Sequence, residues 1–198
     1  TMSFRSEIKF RLTKSELFRV KSHLKSEGMA LLFPSRMVHS VYFDNAEWTM
    51  FHESNEGVMP RKKFRIRSYS GRIEEQVFEM KVSSAEGRYK ESKVIDQIST
   101  NEFLNKGRYF SGYGWCAPRI KISYQRDYFQ FENLRITFDS NLTYSRYGQM
   151  RSYVDEESVM EVKFGHNESC DALYSSVNLI PSRFSKYERA VKAAAKEG

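Results

Sequence analysis

Arg61, Lys63, Arg65 and Arg67 occupy every second position of the stretch RKKFRIRSY, with Phe64 and Ile66 between them. On an extended strand, side chains alternate between faces. The four cations therefore share one face and the two apolar residues the other. Like charges placed side by side repel, so the arrangement calls for a strongly anionic partner. Arg grips phosphate oxygens with a planar fork, and Lys brings a mobile point charge. The chemistry these residues suit is the binding of an anion, and nucleic acid, a membrane surface and phosphate compounds all stay open as that partner.

The elements that must position these cations repeat one pattern. In EIKFRL, Glu7, Lys9 and Arg11 alternate with Ile8, Phe10 and Leu12; in QVFEMKV, Glu79 and Lys81 alternate with Phe78, Met80 and Val82. NLRITFDS sets Arg135, Thr137 and Asp139 against Ile136 and Phe138, and VMEVKF sets Glu161 and Lys163 against Met160, Val162 and Phe164. IKISYQRDYF is less clean, with Arg126 on the parity of Ile120, Ile122 and Tyr124. Strict alternation of this kind predicts strands, and HSVYFDN and KVIDQIS read as two more. The carboxylates Glu7, Glu79, Asp139 and Glu161 neutralise only part of the set Lys9, Arg11, Lys63, Arg65, Arg67, Lys81, Arg126, Arg135 and Lys163. The excess predicts an anionic guest. Pairing with neighbouring cations is the reading for Glu79 and Asp139. Tyr42, Phe43, Tyr128 and Phe129 read as packing residues.

Helices are fewer. TKSELFRVKSHLKSEG opens with Thr13 and Glu16 in a capping box, carries the stripe Leu17, Val20 and Leu24, and stops at Gly28. STNEFLNKG reads as a short helical turn and SCDALYSSVNLIP as a helix ended by Pro181. SKYERAVKAAAKEG is helical by propensity, with Ser185 and Glu188 as a second box. Arg183 and Lys186 flank its start, where the helix dipole disfavours cations by about 0.3–1 kcal/mol unless an anion docks there. Two architectures fit the alternation. One is a sheet backed by helices with its charged face open; the other is a closed barrel with the charges inside.

The chain's 198 residues suggest one domain, and the formal charge of +7 suggests an anionic partner. No apolar run is long enough to span a bilayer or resembles a signal peptide. Thr1 before Met2 reads as an added residue. Cys116 and Cys170 have no framework spacing, so buried thiols in a reducing compartment and a cytoplasmic location are expected. His23, His39, His52 and His166 show no ligand spacing. GYGWC lacks the Gly-Lys-Ser/Thr ending of a phosphate loop and reads as a turn.

The order EIKFR, SVYFD, RKKFRIRSY, FEMK, YQRDYF, RITFD, MEVKF and FSKYERAV resembles the VTC (vacuolar transporter chaperone) domain, the catalytic domain of polyphosphate polymerases and a branch of the triphosphate tunnel metalloenzymes. The match runs from Glu7 to about Val191, so residues 1–198 are expected to form a single domain of this kind. The resemblance implies an α+β fold, a closed antiparallel barrel of about eight strands forming a basic tunnel, with helices packed outside. It implies Mn²⁺ or Mg²⁺, and ATP, pyrophosphate and polyphosphate as ligands, with no nucleic acid. By correspondence, Lys9, Arg65, Arg67, Lys81, Arg126 and Arg135 bind phosphate, Arg183, Ser185 and Lys186 join them at the SKY helix, and Glu161 binds the metal. Glu7, Arg11, Lys63, Glu79, Asp139 and Lys163 are further tunnel positions. The resemblance implies transfer of the terminal phosphate of ATP onto a polyphosphate chain.

There are departures. The hydrolytic relatives begin Glu-x-Glu-x-Lys, whereas EIKFR keeps one glutamate, which favours transfer over hydrolysis. Arg183 stands where the family often has Lys. The fungal members carry an inositol-phosphate-sensing domain before the tunnel and membrane helices after it. Neither has a counterpart in this sequence, so those regulatory features are not expected. A tunnel hydrolase acting on tripolyphosphate or a nucleoside triphosphate is the alternative activity. A binding module for polyphosphate or nucleic acid is the non-catalytic one, but Phe64, Phe78, Phe138 and Phe164 lie on the parity opposite the charges, as core residues do.

Overall fold

The computed structural model describes residues 5–70, 72–165 and 169–195. Thr1, His166 and the last residues of the SKY helix segment lie outside them. In chain order the elements are β1 (Arg5–Leu12), α1 (Lys14–Ser26), β2 (Ala30–Asp44), α2 (Thr49–Glu56), β3 (Arg61–Tyr69), β4 (Arg72–Ser84), β5 (Gly87–Ile95), α3 (Gln97–Lys106), β6 (Arg108–Phe110), β7 (Gly114–Phe131), β8 (Leu134–Arg146), β9 (Tyr153–Val154), β10 (Ser158–Gly165), α4 (Asp171–Ser176) and α5 (Lys186–Ala195). The strands join one antiparallel sheet in the order β1-β10-β8-β7-β2-β3-β4-β5, with β6 on β7 and β9 on β8. No helix among the described residues is long and apolar enough to cross a membrane.

The expected closed barrel is corrected here. Among the described residues the path of pairings has two ends, β1 and β5, that do not pair with each other. Each edge is managed by another device. Along β1, the Ser182 amide donates to the Lys9 carbonyl at 2.8 Å and the Arg11 amide donates to Ser182 Oγ at 3.2 Å. Along β5, nearly every residue is exposed, and Arg88, Lys90, Glu91 and Lys93 put charge on the edge.

The chain divides into two compact units. The first comprises Thr1–Met37, Tyr124–Leu142 and Val154–Phe184. Its core joins Phe10, Leu12, Ile136, Phe138, Met160 and Val162 of the sheet to Val20 and Leu24 of α1 and Leu173 of α4. These are the apolar parities of the alternating strands. The α1 capping box is present in full, with Thr13 accepting from the Glu16 amide. Gly28 ends the turn at φ 101, where a Cβ would be strained.

The second unit comprises Val38–Ser123, Thr143–Tyr153 and Ser185–Gly198. Phe64 and Ile66 are buried with Phe43, Phe110, Cys116 and Met50 of α2, and Phe103 and Leu104 of α3 pack alongside. Phe64 stacks on Phe110 with ring centroids 3.7 Å apart. The expectation that helices pack outside, on the apolar face, is corrected for α5. Tyr187 stacks on Tyr42, whose cross-strand partner is Arg65, and Glu188 pairs with Lys63. The first turn of α5 thus packs on the charged face, because its hydroxyl and carboxylate match the groups there.

KVIDQIS is a strand only to Ile95. Asp96 then caps α3, accepting from the Ser99 amide at 2.6 Å.

Candidate functional site

Each unit carries its own charged face. In the second unit, pairing between β3 and β4 places Lys63 opposite Lys81 and Arg65 opposite Glu79. Pairing between β4 and β5 places Lys81 opposite Lys90. Three lysines therefore stand in one row across three strands. Next to the row, Glu79 is the shared carboxylate. Arg65 Nε donates to its Oε2 at 2.5 Å, Arg67 Nη1 lies 3.7 Å from the same oxygen, and Lys90 Nζ donates to Oε1 at 2.8 Å. Burial alone would push the Glu79 carboxyl up, but Arg65 and Arg67, with Lys90, hold it well below the usual carboxylate range. Among these side chains five cations, Lys63, Arg65, Arg67, Lys81 and Lys90, stand with two carboxylates, Glu79 and Glu188, which leaves a positive surplus.

The surplus is held in place by neutral groups. Arg67 is buried, with Nε near Ser40 Oγ at 3.4 Å and Nη1 near the Tyr69 hydroxyl at 3.3 Å. Arg65 Nη1 donates to the Tyr42 hydroxyl at 2.7 Å. Lys63 Nζ donates to Ser185 Oγ at 3.1 Å and lies 3.6 Å from Glu188. Ser185 also accepts from the Glu188 amide at 3.4 Å, which is the N-cap half of the expected box. The Glu188 carboxylate takes a hydrogen bond from Ser54 at 2.5 Å. Lys186 opens α5, half-buried. Arg61, on the same parity as Lys63, donates to the Val58 carbonyl at 2.9 Å.

Behind this face, Tyr187 donates to Asp44 Oδ2 at 2.5 Å. The Asp44 carboxylate also accepts the amides of Met50 and Phe51, both at 3.0 Å, and so fastens the start of α2. Burial raises its carboxyl despite these bonds, and burial together with Asp44 raises the Tyr187 phenol far above its usual value.

In the first unit, β1 and β10 place Lys9 opposite Glu161 and Glu7 opposite Lys163, and β8 places Arg135 opposite Lys163 and Thr137 opposite Glu161. Lys9 Nζ lies 3.1 Å from Glu7 and 3.8 Å from Glu161, and donates to the Phe184 carbonyl at 3.3 Å. Lys163 reaches Glu161 Oε1 at 3.0 Å. Arg126 grips Asp139, which is fully buried, with two parallel bonds at 2.5 and 2.7 Å. Arg11 is half-exposed and forked onto Glu157 at 2.7 Å. Arg135 lies over the rings of Phe33 and Tyr128. Arg183 is exposed.

The predicted residues thus fall into two groups. Lys63, Arg65, Arg67, Glu79, Lys81, Ser185 and Lys186 belong to the second unit. Glu7, Lys9, Arg11, Arg126, Arg135, Asp139, Glu161, Lys163 and Arg183 belong to the first. Sequence reasoning missed Lys90 and the polar role of Tyr42. The signal for Lys90 was the hairpin folding at Ser84–Gly87, whose register sets it beside Lys81.

These residues fit a divalent cation of one particular kind. Among the described residues no three His, Cys, Asp or Glu side chains form a cage. Glu161 and Glu7 share Lys9, and the buried Thr137 hydroxyl opposite Glu161 has no partner among the described residues. One or two carboxylates and a spare hydroxyl suit a hard divalent cation bound largely through waters and phosphate oxygens.

Two segments of the chain, residues 4–114 and 113–195, match the VTC domain, and together they span nearly all of it. The chain belongs to the VTC domain family. No curated protein matches it in sequence. Among solved structures, this VTC domain is similar to a proposed adenylate cyclase of Vibrio parahaemolyticus, with TM-score 0.58, 14% identity, and 97% and 99% of the two chains covered. A proposed adenylate cyclase of Bacillus halodurans gives TM-score 0.61 at 14% identity, covering 92% and 95%. A proposed Hippeastrum adenylyl cyclase, reported with a dominant triphosphatase activity, gives TM-score 0.60 at 16% identity, covering 95% of each chain. At these identities the likeness is one of fold alone.

Proposed function

We propose that this VTC domain is a phosphotransferase that moves the terminal phosphate of ATP onto a polyphosphate chain, with pyrophosphate as a short acceptor. The observation that carries this reading is the Lys63–Lys81–Lys90 row beside Arg65 and Arg67, five cations set around the carboxylates of Glu79 and Glu188. Adjacent strands are about 4.8 Å apart. A linear polyanion lying across the strands therefore meets an ammonium group at each one. Arg65 and Arg67, whose forks are positioned by Glu79, Tyr42, Ser40 and Tyr69, bring two guanidinium groups to the same face for phosphate oxygens.

In the transfer, a terminal oxygen of the acceptor chain forms a bond to the γ-phosphorus. The bond from that phosphorus to the β–γ bridging oxygen breaks, and ADP leaves with the electron pair. No protein nucleophile is needed. The cations offset charge on the transferring group and on the leaving oxygen. Lys186, in the same unit, adds to that positive field, and Lys9, Arg126, Arg135, Lys163 and Arg183 give the other unit a cationic face of its own. A divalent ion, when bound, neutralises phosphate oxygens and lowers the charge barrier to attack; Glu161, with Glu7 and Thr137 near, would hold it.

A second reading, hydrolysis of a triphosphate, is favoured by the Hippeastrum likeness. It differs only in using water as the acceptor. Incubation with ATP and Mn²⁺ separates the two. Long-chain polyphosphate and ADP are expected; orthophosphate without polymer would replace transfer by hydrolysis.

A further inference from the structure

Tyr42 is 7% exposed and directly opposite Arg65 in the β2–β3 ladder. Its ring is held by Tyr187, stacked at 5.0 Å and 15°. Its oxygen accepts the hydrogen bond from Arg65. A phenol also has a proton to donate, and the destination of that proton is the open question.

The groups facing the hydroxyl are largely donors. From β3 come Arg65, Arg67 and Lys63. The acceptors nearby are already committed. On β2, Ser40 receives Arg67 and Asp44 receives Tyr187. On β4, the two oxygens of Glu79 receive Arg65, Arg67 and Lys90. On α5, Glu188 receives Ser54 and pairs with Lys63. No described residue accepts the Tyr42 proton. A buried donor without an acceptor is destabilising, and there are two remedies: the proton leaves, or an acceptor arrives.

We propose that Tyr42 is a phosphate-binding residue, its hydroxyl donating to a non-bridging oxygen of a phosphate held by Arg65 and Lys63. The inference rests on the proposed function and adds a contact to that site. In the absence of such a ligand the first remedy operates above about pH 8. Burial would raise the phenol, but the charges of Arg65 and Arg67, the Arg65 hydrogen bond and Lys63 bring it down to about 8. A bound polyanion supplies the acceptor and cancels the cations, so Tyr42 keeps its proton. Above about pH 8, binding must therefore return a proton to Tyr42, and affinity falls as pH rises.

The probe is tripolyphosphate without metal, measured by calorimetry and by tyrosinate absorbance. In the wild-type protein one tyrosine is expected to ionise near pH 8, and saturating tripolyphosphate is expected to move that transition upward. Tyr42→Phe keeps the ring stack and lacks the proton. It is expected to lose the transition, to bind about ten- to a hundredfold more weakly at neutral pH, and to lose the decline in affinity at alkaline pH. Wild-type titration needs no variant, so it stands even if Tyr42→Phe folds poorly. Tripolyphosphate binding with an unmoved tyrosine transition, or equal binding by Tyr42→Phe, overturns this inference alone. If the wild-type protein binds no tripolyphosphate, the proposed function fails and this inference with it.

Discussion

Lys63 and Lys81 stand directly opposite each other across β3 and β4, and Lys90 extends the row onto β5. Directly opposed like charges destabilise a sheet by a fraction of a kcal/mol each. Lys81→Ala relieves both contacts. The expected result is a rise in stability of about 0.2–1 kcal/mol in urea unfolding, together with a loss of tripolyphosphate affinity by calorimetry. Unfolding of the variant would make Lys81 structural instead.

Glu79 behaves in the opposite sense. It is 3% exposed and serves three cations. Glu79→Gln removes the buried charge that all three share and is expected to cost about 3–5 kcal/mol. Because the folded carboxyl lies below its usual value of 4.5, its contribution is complete above that pH. The contribution is lost as pH falls towards the folded value. Unfolding free energies across the acid range should show this slope in the wild type and its absence in Glu79→Gln.

Tyr187→Phe removes one donor to the fully buried Asp44. The expected cost is about 1.5–3 kcal/mol at neutral pH. Asp44 has a raised carboxyl, so it is the ionised form that suffers. The cost should shrink as pH falls and Asp44 takes up its proton. Urea unfolding at neutral and mildly acid pH checks the difference.

Glu161→Gln tests the metal carboxylate. Lys9 keeps Glu7 and the Phe184 carbonyl, so the fold is expected to persist. Mn²⁺ binding in the presence of tripolyphosphate, followed by electron paramagnetic resonance, should weaken by about tenfold or more. Unchanged Mn²⁺ binding would remove Glu161 from the metal role.

The strands with one apolar face were legible in the sequence. Phe10, Ile136, Phe138, Met160 and Val162 are all fully buried on the parity that alternation assigned them. The first half of β2 was not legible, since Leu31 and Phe33 are exposed and Pro34 interrupts the run. The β5 strand has no apolar face to betray it. Helix α2 follows Trp48 in the left-handed region with no side-chain cap of its own. Its anchor is Asp44, a strand residue, so no local signal marked it. Alternation says which face a residue takes and not whether the two ends of a sheet meet, which is why closure was misjudged. The cations were legible by parity. Their partners, and Lys90 and Tyr42 among them, required the register.

The pairing of β1 with β10 has a consequence for synthesis. Lys9 meets Glu161, and Ser182 caps the outer edge of the strand. A first strand whose neighbour is made so late cannot settle while the chain is still emerging. Contacts this distant also slow folding, because the loop must close before they form. The apolar parity of β1, Ile8, Phe10 and Leu12, therefore waits unburied during translation, and early α1 is the only described helix at hand to shelter it.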